Sequence, residues 1–204
     1  FFQQWIYSPG IPDASFTVLH NDSGQAKVIG TTTSPTSTLF DIDVPIGIPG
    51  SAVADSLVIR ATPEGYTTYF PIALLDDVGT IRIDPNHWVL TRSFTQNTLQ
   101  LATCLAYDGA VDLSWNPFEG GIPLAGYHVF RRQIPDGDFI RVTDVPVNSL
   151  NYTDYSVTNG QIYQYHVTAV DLEGFRSLPS NVMEAAPIHF PFVRELVLVV
   201  LAVL

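Results

Sequence analysis

Apolar and polar residues alternate along most of this chain, and the alternation comes in two blocks. In the first, Phe40-Asp41-Ile42-Asp43-Val44-Pro45-Ile46 has a period of two, which predicts a strand with one face buried and the other wet. Residues 56–60 and 80–84 repeat the pattern more briefly, with Gly and Pro turns between. The second block places Val111, Leu113 and Trp115 on one face, then Tyr127 and Val129. Ile140 and Val142 follow a Pro-Asp-Gly-Asp turn, and Tyr163, Tyr165, Val167 and Ala169 all point one way. Helical spacing occurs only at the start, where Phe1, Phe2, Trp5 and Ile6 share a face that Pro9-Gly10 ends. The pattern predicts an all-β chain of two tandem sandwiches preceded by a short helix remnant. The expected division is a helix end at 1–12, a sandwich at 13–90, a connector at 91–104 and a second sandwich at 105–188. A further segment, 189–204, closes the sequence.

Both ends raise the expectation of missing neighbours. The opening aromatic helix has no partner in the next hundred residues, so its partners are expected upstream. Residues 196–204 are nine consecutive apolar residues. A membrane-spanning helix takes about 20, so this stretch is expected to begin a further domain or an anchor. The chain reads as an internal fragment.

Composition narrows the partners. With 46% hydrophobic and 14% charged residues, the 204-residue chain can bury a sizeable core. Its net charge of −11 is diffuse: residues 1–104 hold nine acids and four bases, and residues 105–188 hold ten and four. Such a surface repels phosphate, so nucleic acid is not expected as a partner, nor are anionic membranes. The lone Cys104 excludes a disulfide framework and a Cys-based zinc ribbon, and reads as a small buried hydrophobe. Scarce cysteine suits an exported bacterial protein, so a secreted or cell-surface location is expected.

Residues 105–188 resemble a fibronectin type III domain, an immunoglobulin-like sandwich. The resemblance is carried by Trp115, Tyr127, the run Tyr163-x-Tyr165-x-Val167-x-Ala169-Val170-Asp171, Gly174 and Ser177-x-Pro179-Ser180. It implies that Trp115 is the central core aromatic and that Tyr163 is the corner tyrosine, its hydroxyl bonded to upstream backbone. Residues 1–90 resemble the C-terminal sandwich region of M1-family zinc aminopeptidases. There a helix bearing a Trp, here Trp5, ends in a Gly-x-Pro step, here Gly10-Ile11-Pro12; the stretch at 69–90 resembles that sandwich's close. A Gln expected after the second strand is not evident. This resemblance implies zinc for a parent catalytic domain only, with no cofactor in this chain.

The residues offer little chemistry. The five His are followed by Asn21, Trp88, Val129, Val167 and Phe190, so His-Glu-x-x-His is absent. Met183-Glu184 superficially echoes the family's substrate-anchoring motif but lacks its Gly and Asn. No Gly-x-Ser-x-Gly elbow or phosphate-cradling Gly loop occurs. Asp41 and Asp43, roughly 7 Å apart on one strand face, and Asp76-Asp77 are read as solvated surface with a cation site as the lesser alternative. His128 and His166 are expected outward on neighbouring strands, beside Phe130, as a candidate surface metal or acid-sensitive pair. Asn21-Asp-Ser and Asn151-Tyr-Thr fit the glycosylation pattern.

Three functional expectations follow. The first is a non-catalytic C-terminal region of a secreted M1-like metallopeptidase, packed on an upstream catalytic domain and docking a protein or polysaccharide surface through its type III module. The alternative is an adhesive or carbohydrate-binding stalk of a bacterial surface protein, with Trp88, Phe130 and Tyr155 as a candidate aromatic platform. The third is a peptidase relative that has lost its zinc ligands and acts as a scaffold. In each, the chain itself is not an enzyme.

Overall fold

The computed structural model describes residues 12–34, 41–47, 58–71, 82–83 and 93–189. Every regular element among them is a strand. Trp5, Gly10, Asp76, Asp77, Trp88 and residues 190–204 lie outside the described residues; Pro12 lies within them and is buried.

The second half builds a fibronectin type III-like sandwich. One sheet has three strands, in the order β12 (Asn151–Asp154), β9 (Ala110–Trp115), β8 (Leu101–Tyr107). Facing it, β11 (Ile140–Arg141), β10 (Leu124–Gln133) and β13 (Tyr163–Asp171) lie side by side. Beyond β13 run two short pieces of a last strand, β14 (Arg176–Ser177) and β15 (Met183–Ala185). Inward positions of β9, β10 and β13 supply Val111, Leu113, Trp115, Tyr127, Val129, Tyr163, Tyr165, Val167 and Ala169, all at most 5% exposed. Burying apolar area at about 25 cal/mol per Å² makes this aromatic-rich core the main source of stability.

Alternation along β13 predicts one wet face, but His166, Thr168 and Val170 on the other face are buried as well. The physical reason is cover. Phe130 stacks on the His166 ring at 4.8 Å, Phe139 lies tilted against it at 4.4 Å, and the Arg132 guanidinium lies over Phe139. Long side chains laid along a sheet exclude water from the residues beneath them.

The first half contributes β1 (Asp13–His20), β2 (Gln25–Thr33), β3 (Ile42–Gly47), β4 (Val58–Thr62), β5 (Tyr66–Pro71) and β6 (Arg82–Ile83). β1 and β2 form a hairpin whose turn is closed by Asn21, which accepts from the Ser23 and Gln25 amides. β2 also pairs with β4 in parallel and with β5. At the first of these contacts a Cβ on Gly30 would lie 2.5 Å from the Arg60 carbonyl oxygen, so only glycine fits. Ile42 and Val44 are buried while Asp41 and Asp43 are exposed, the alternation read from sequence.

Two features depart from the picture of independent sandwiches. The segment 91–104, expected as a connector, carries β7 (Ser93–Gln96), parallel to β1, and the start of β8. Further, β1 pairs antiparallel with β14, Leu19 opposite Ser177 and His20 opposite Arg176. One sheet therefore runs from the type III half into the first half. Pairing an edge strand this way satisfies backbone groups that would otherwise template aggregation. Leu19 and Ile29 from the first half join the same apolar cluster as Trp115 and Tyr165.

Candidate functional site

The most elaborate polar chemistry lies where the halves meet. The hairpin turn after β13 begins with Asp171, whose Oδ1 accepts from the Glu173 and Phe175 amides at 2.9 and 2.8 Å. Gly174, at φ 85°, lets the chain reverse so that the Asp171 amide donates to the Phe175 carbonyl at 2.9 Å. The remaining oxygen, Oδ2, accepts from Lys27 Nζ at 2.9 Å, and Glu173 Oε1 accepts from the same ammonium at 3.0 Å. Lys27 is the one lysine of the sequence and is 7% exposed. Its ammonium also lies 5.4 Å from the Phe175 ring centroid and 5.8 Å from that of Tyr69. Burial works against its charge, but Asp171 and then Glu173 outweigh that and hold its pKa above the usual lysine value.

Around this pair the junction is stitched by further bonds. Thr17 Oγ1 donates to the Gly120 carbonyl at 2.9 Å and accepts from Asn97 Nδ2 at 2.8 Å. Tyr69 donates to Glu173, and Arg176 pairs with Asp22. The loop 116–123 is wedged into the joint, with a cleft on either side. One, of about 310 Å³, is lined by Lys27, Glu64, Ile122, Asp171 and Glu173 among others. The other, of about 440 Å³, lies between residues 95–100 and 116–119.

A second buried network sits inside the type III half. Asp154, 1% exposed, accepts from Arg131 Nη1 at 2.7 Å and from the Tyr165 hydroxyl at 3.0 Å. Burial raises its pKa, but the Ser156 hydroxyl and amide and Arg131 outweigh this and hold the carboxyl below its usual range. The Tyr165 phenol is pushed up, by burial first and then by Asp154. Tyr163 accepts from the Thr158 amide at 3.1 Å, and Tyr127 accepts from the Phe118 amide at 3.1 Å. Trp115, 3% exposed, packs tilted on Tyr127 at 5.5 Å. The three tyrosines are anchors, each with its ring in the core and its hydroxyl on a named partner, whereas the Trp115 indole N–H is buried without a hydrogen-bond partner among the described residues.

The expected histidine pair is not an open site. His166 stands opposite Phe130 and His128 opposite Thr168, so the two are diagonal neighbours. They are 8% and 6% exposed. His128 Nδ1 is bonded to Thr143 Oγ1 at 3.0 Å. Burial, then Arg132, lowers His166 to about 4, while burial, Arg141 and Arg176 lower His128. Cations flank both rings, the reverse of what a metal site supplies. No group of three or more His, Cys, Asp or Glu suited to a metal occurs among the described residues. Asp43 is engaged by Arg60 at 2.7 Å. Burial pushes the Cys104 thiol up to about 12, so it is not a poised nucleophile. Of the candidate aromatic platform, Phe130 is stacked on His166 and Tyr155, 78% exposed, follows β12 in the other sheet.

Sequence reasoning placed Asp171 and Tyr165 only in the type III pattern, and it passed over Lys27, Arg131 and Asp154 as partners. The available signal was an isolated lysine inside the apolar run Ala26-Lys27-Val28-Ile29. A charge there needs a buried counter-charge.

No protein-family model matches the chain. It is 33% identical over 81 residues to an amylopullulanase of Thermoanaerobacter thermohydrosulfuricus, covering 40% of this chain and 5% of that protein. It is 38% identical over 77 residues to an amylopullulanase of Thermoanaerobacterium thermosulfurigenes, covering 38% of this chain and 4% of the relative. The chain thus spans 4–6% of the length of the curated relatives it matches. Similar solved structures include a Fn3-like protein from Clostridium thermocellum, 24% identical with a TM-score of 0.37, covering 46% of this chain and 96% of that one. The FN5 domain of Drosophila Lar is 16% identical with a TM-score of 0.38, covering 46% and 98%. These curated relatives are amylopullulanases, and the zinc aminopeptidase parent expected from the opening motif finds no support in them.

Proposed function

We propose that this chain is a non-catalytic spacer of a longer secreted or surface-displayed protein, a stalk in which the type III-like module and the preceding strands act as one stiff piece. The observation that carries it is the pairing of β1 with β14 over a shared core, closed by the buried Lys27–Asp171 bond. A spacer that transmits position needs such a joint, since two sandwiches on a flexible linker would swing freely. The likeness to short stretches of amylopullulanases supports a parent that works on carbohydrate outside the cell. In that setting the stalk holds a catalytic or surface-attached neighbour at a fixed distance from its target.

Hydrogen exchange across the chain in denaturant tests this. Protected amides of β2 and of β13 are expected to open with the same free energy, as one cooperative unit. Two well-separated opening free energies would mean independent domains and would defeat the proposal.

A further inference from the structure

The cleft between residues 95–100 and 116–119 plays no part in the spacer reading. Thr95, Gln96, Asn97, Thr98, Gln100, Asn116, Pro117 and Glu119 line it, and every side chain but the proline carries a hydrogen-bonding group. Glu119 is the one charged member. Its walls are fixed from behind. Leu99 and Phe118, 1% and 8% exposed, anchor the two walls in the core. The Asn116 amide bonds the Gln100 carbonyl at 3.0 Å across the floor, and Asn97 is tied to Thr17. By contrast, the side chains of Gln96, Asn116 and Glu119 make no hydrogen bond to another described residue. The cleft therefore presents unengaged amides and a carboxylate on a preformed frame, the state that loses least entropy on binding. Its volume of about 440 Å³ falls within the range of roughly 300–1,000 Å³ usual for small-molecule sites.

The chemistry of the lining selects the ligand. Neutral amides offer donors and acceptors together, which suits hydroxyl groups that are also both. A negative chain with Glu119 at the site disfavours phosphates and uronates, and the absence of a deep apolar wall disfavours lipids. We infer that this cleft binds a neutral polyhydroxyl ligand, a short segment of an uncharged glycan, with Gln96 and Asn116 as its principal hydrogen-bonding residues. The inference goes beyond the spacer reading and does not depend on it.

Side-chain amide signals of the full chain, followed by NMR during titration with maltotriose and with cellotriose, test it. At least one trisaccharide is expected to shift the Gln96 and Asn116 amide pairs saturably at millimolar concentration. The double variant Gln96→Ala/Asn116→Ala is expected to bind about tenfold more weakly while keeping its backbone spectrum. No saturable shift with either sugar up to roughly 10 mM, or an equal response to glycerol, overturns the inference. So does unchanged binding in the double variant. None of these outcomes alters the cooperative opening on which the spacer reading stands.

Discussion

The two halves of this chain bury apolar surface in different ways. The type III half fills its core with Trp115, Phe118, Tyr127, Tyr163, Tyr165 and Phe175, and three of the tyrosines fix their hydroxyls on Phe118, Thr158 and Asp154. The first half relies on Ala14, Phe16, Val18, Ala26, Val28, Ile42, Val44, Ile59 and Ala61, nearly all aliphatic. The three tyrosines specify one arrangement, because each ring must satisfy packing and a hydrogen bond together. Small aliphatic residues pack against whatever is adjacent, and here the neighbour is the other half, through Leu19, Ile29 and the β1–β14 ladder. The lesson is one of mutual dependence: the two halves close over one core and are expected to open together.

The largest effect should come from the centre of that frame. Trp115→Ala is expected to cost about 3–5 kcal/mol, as a buried aromatic truncated to a cavity does, and to destabilise both halves together in denaturant titration. Loss confined to the type III half would break the claim of dependence. Lys27→Met is expected to cost about 3–4 kcal/mol, since it leaves Asp171 charged and buried without its ammonium. Hydrogen exchange should show that loss across β1, β2, β9 and β13 alike; loss confined to β1 and β2 would show that the halves open separately.

Acid supplies the next test. The folded pKa of His166 is lowered to about 4, below its unfolded value near 6.5, so the unfolded state binds the proton more readily. Stability from this group is fully present above about pH 6.5 and is lost as pH falls from there through about 4, by up to about 3 kcal/mol in all. His166→Phe should flatten that slope in denaturant titrations run from pH 7 to pH 4. A slope identical in the variant would show that the buried ring is not its source. The smallest effect is expected at the exposed Arg60–Asp43 pair, with 48% and 53% of the side chains open to water. Asp43→Asn should cost under about 1 kcal/mol and less in high salt.

How much was legible follows the same division. The strands carrying Val111, Leu113, Trp115, Tyr127 and Tyr163–Ala169 could be read directly, because each alternates strictly and ends in a Gly or Asp turn. The outward placement of His128 and His166 also followed from alternation, but their burial did not. For His166 it depends on Phe130 and on Phe139, from a turn between strands, with Arg132 laid over Phe139. The candidate cleft joins residues about twenty positions apart that the pairing of β8 with β9 and the Asn116–Gln100 bond bring together. A Trp and a Gly-x-Pro step were too short a pattern to identify a parent protein, since so few residues recur by chance in unrelated chains.

The sequence alone determined what its local periods and composition can encode: strands, their inward faces, the turns, and a net charge of −11. Tertiary structure decided that the two blocks share one sheet, that the single lysine is buried against Asp171, and that His166 is sealed under aromatic rings. The reason is range. Alternation within a strand is fixed by backbone geometry over a few residues, whereas a pairing such as Leu19 with Ser177 depends on the register of every strand between them.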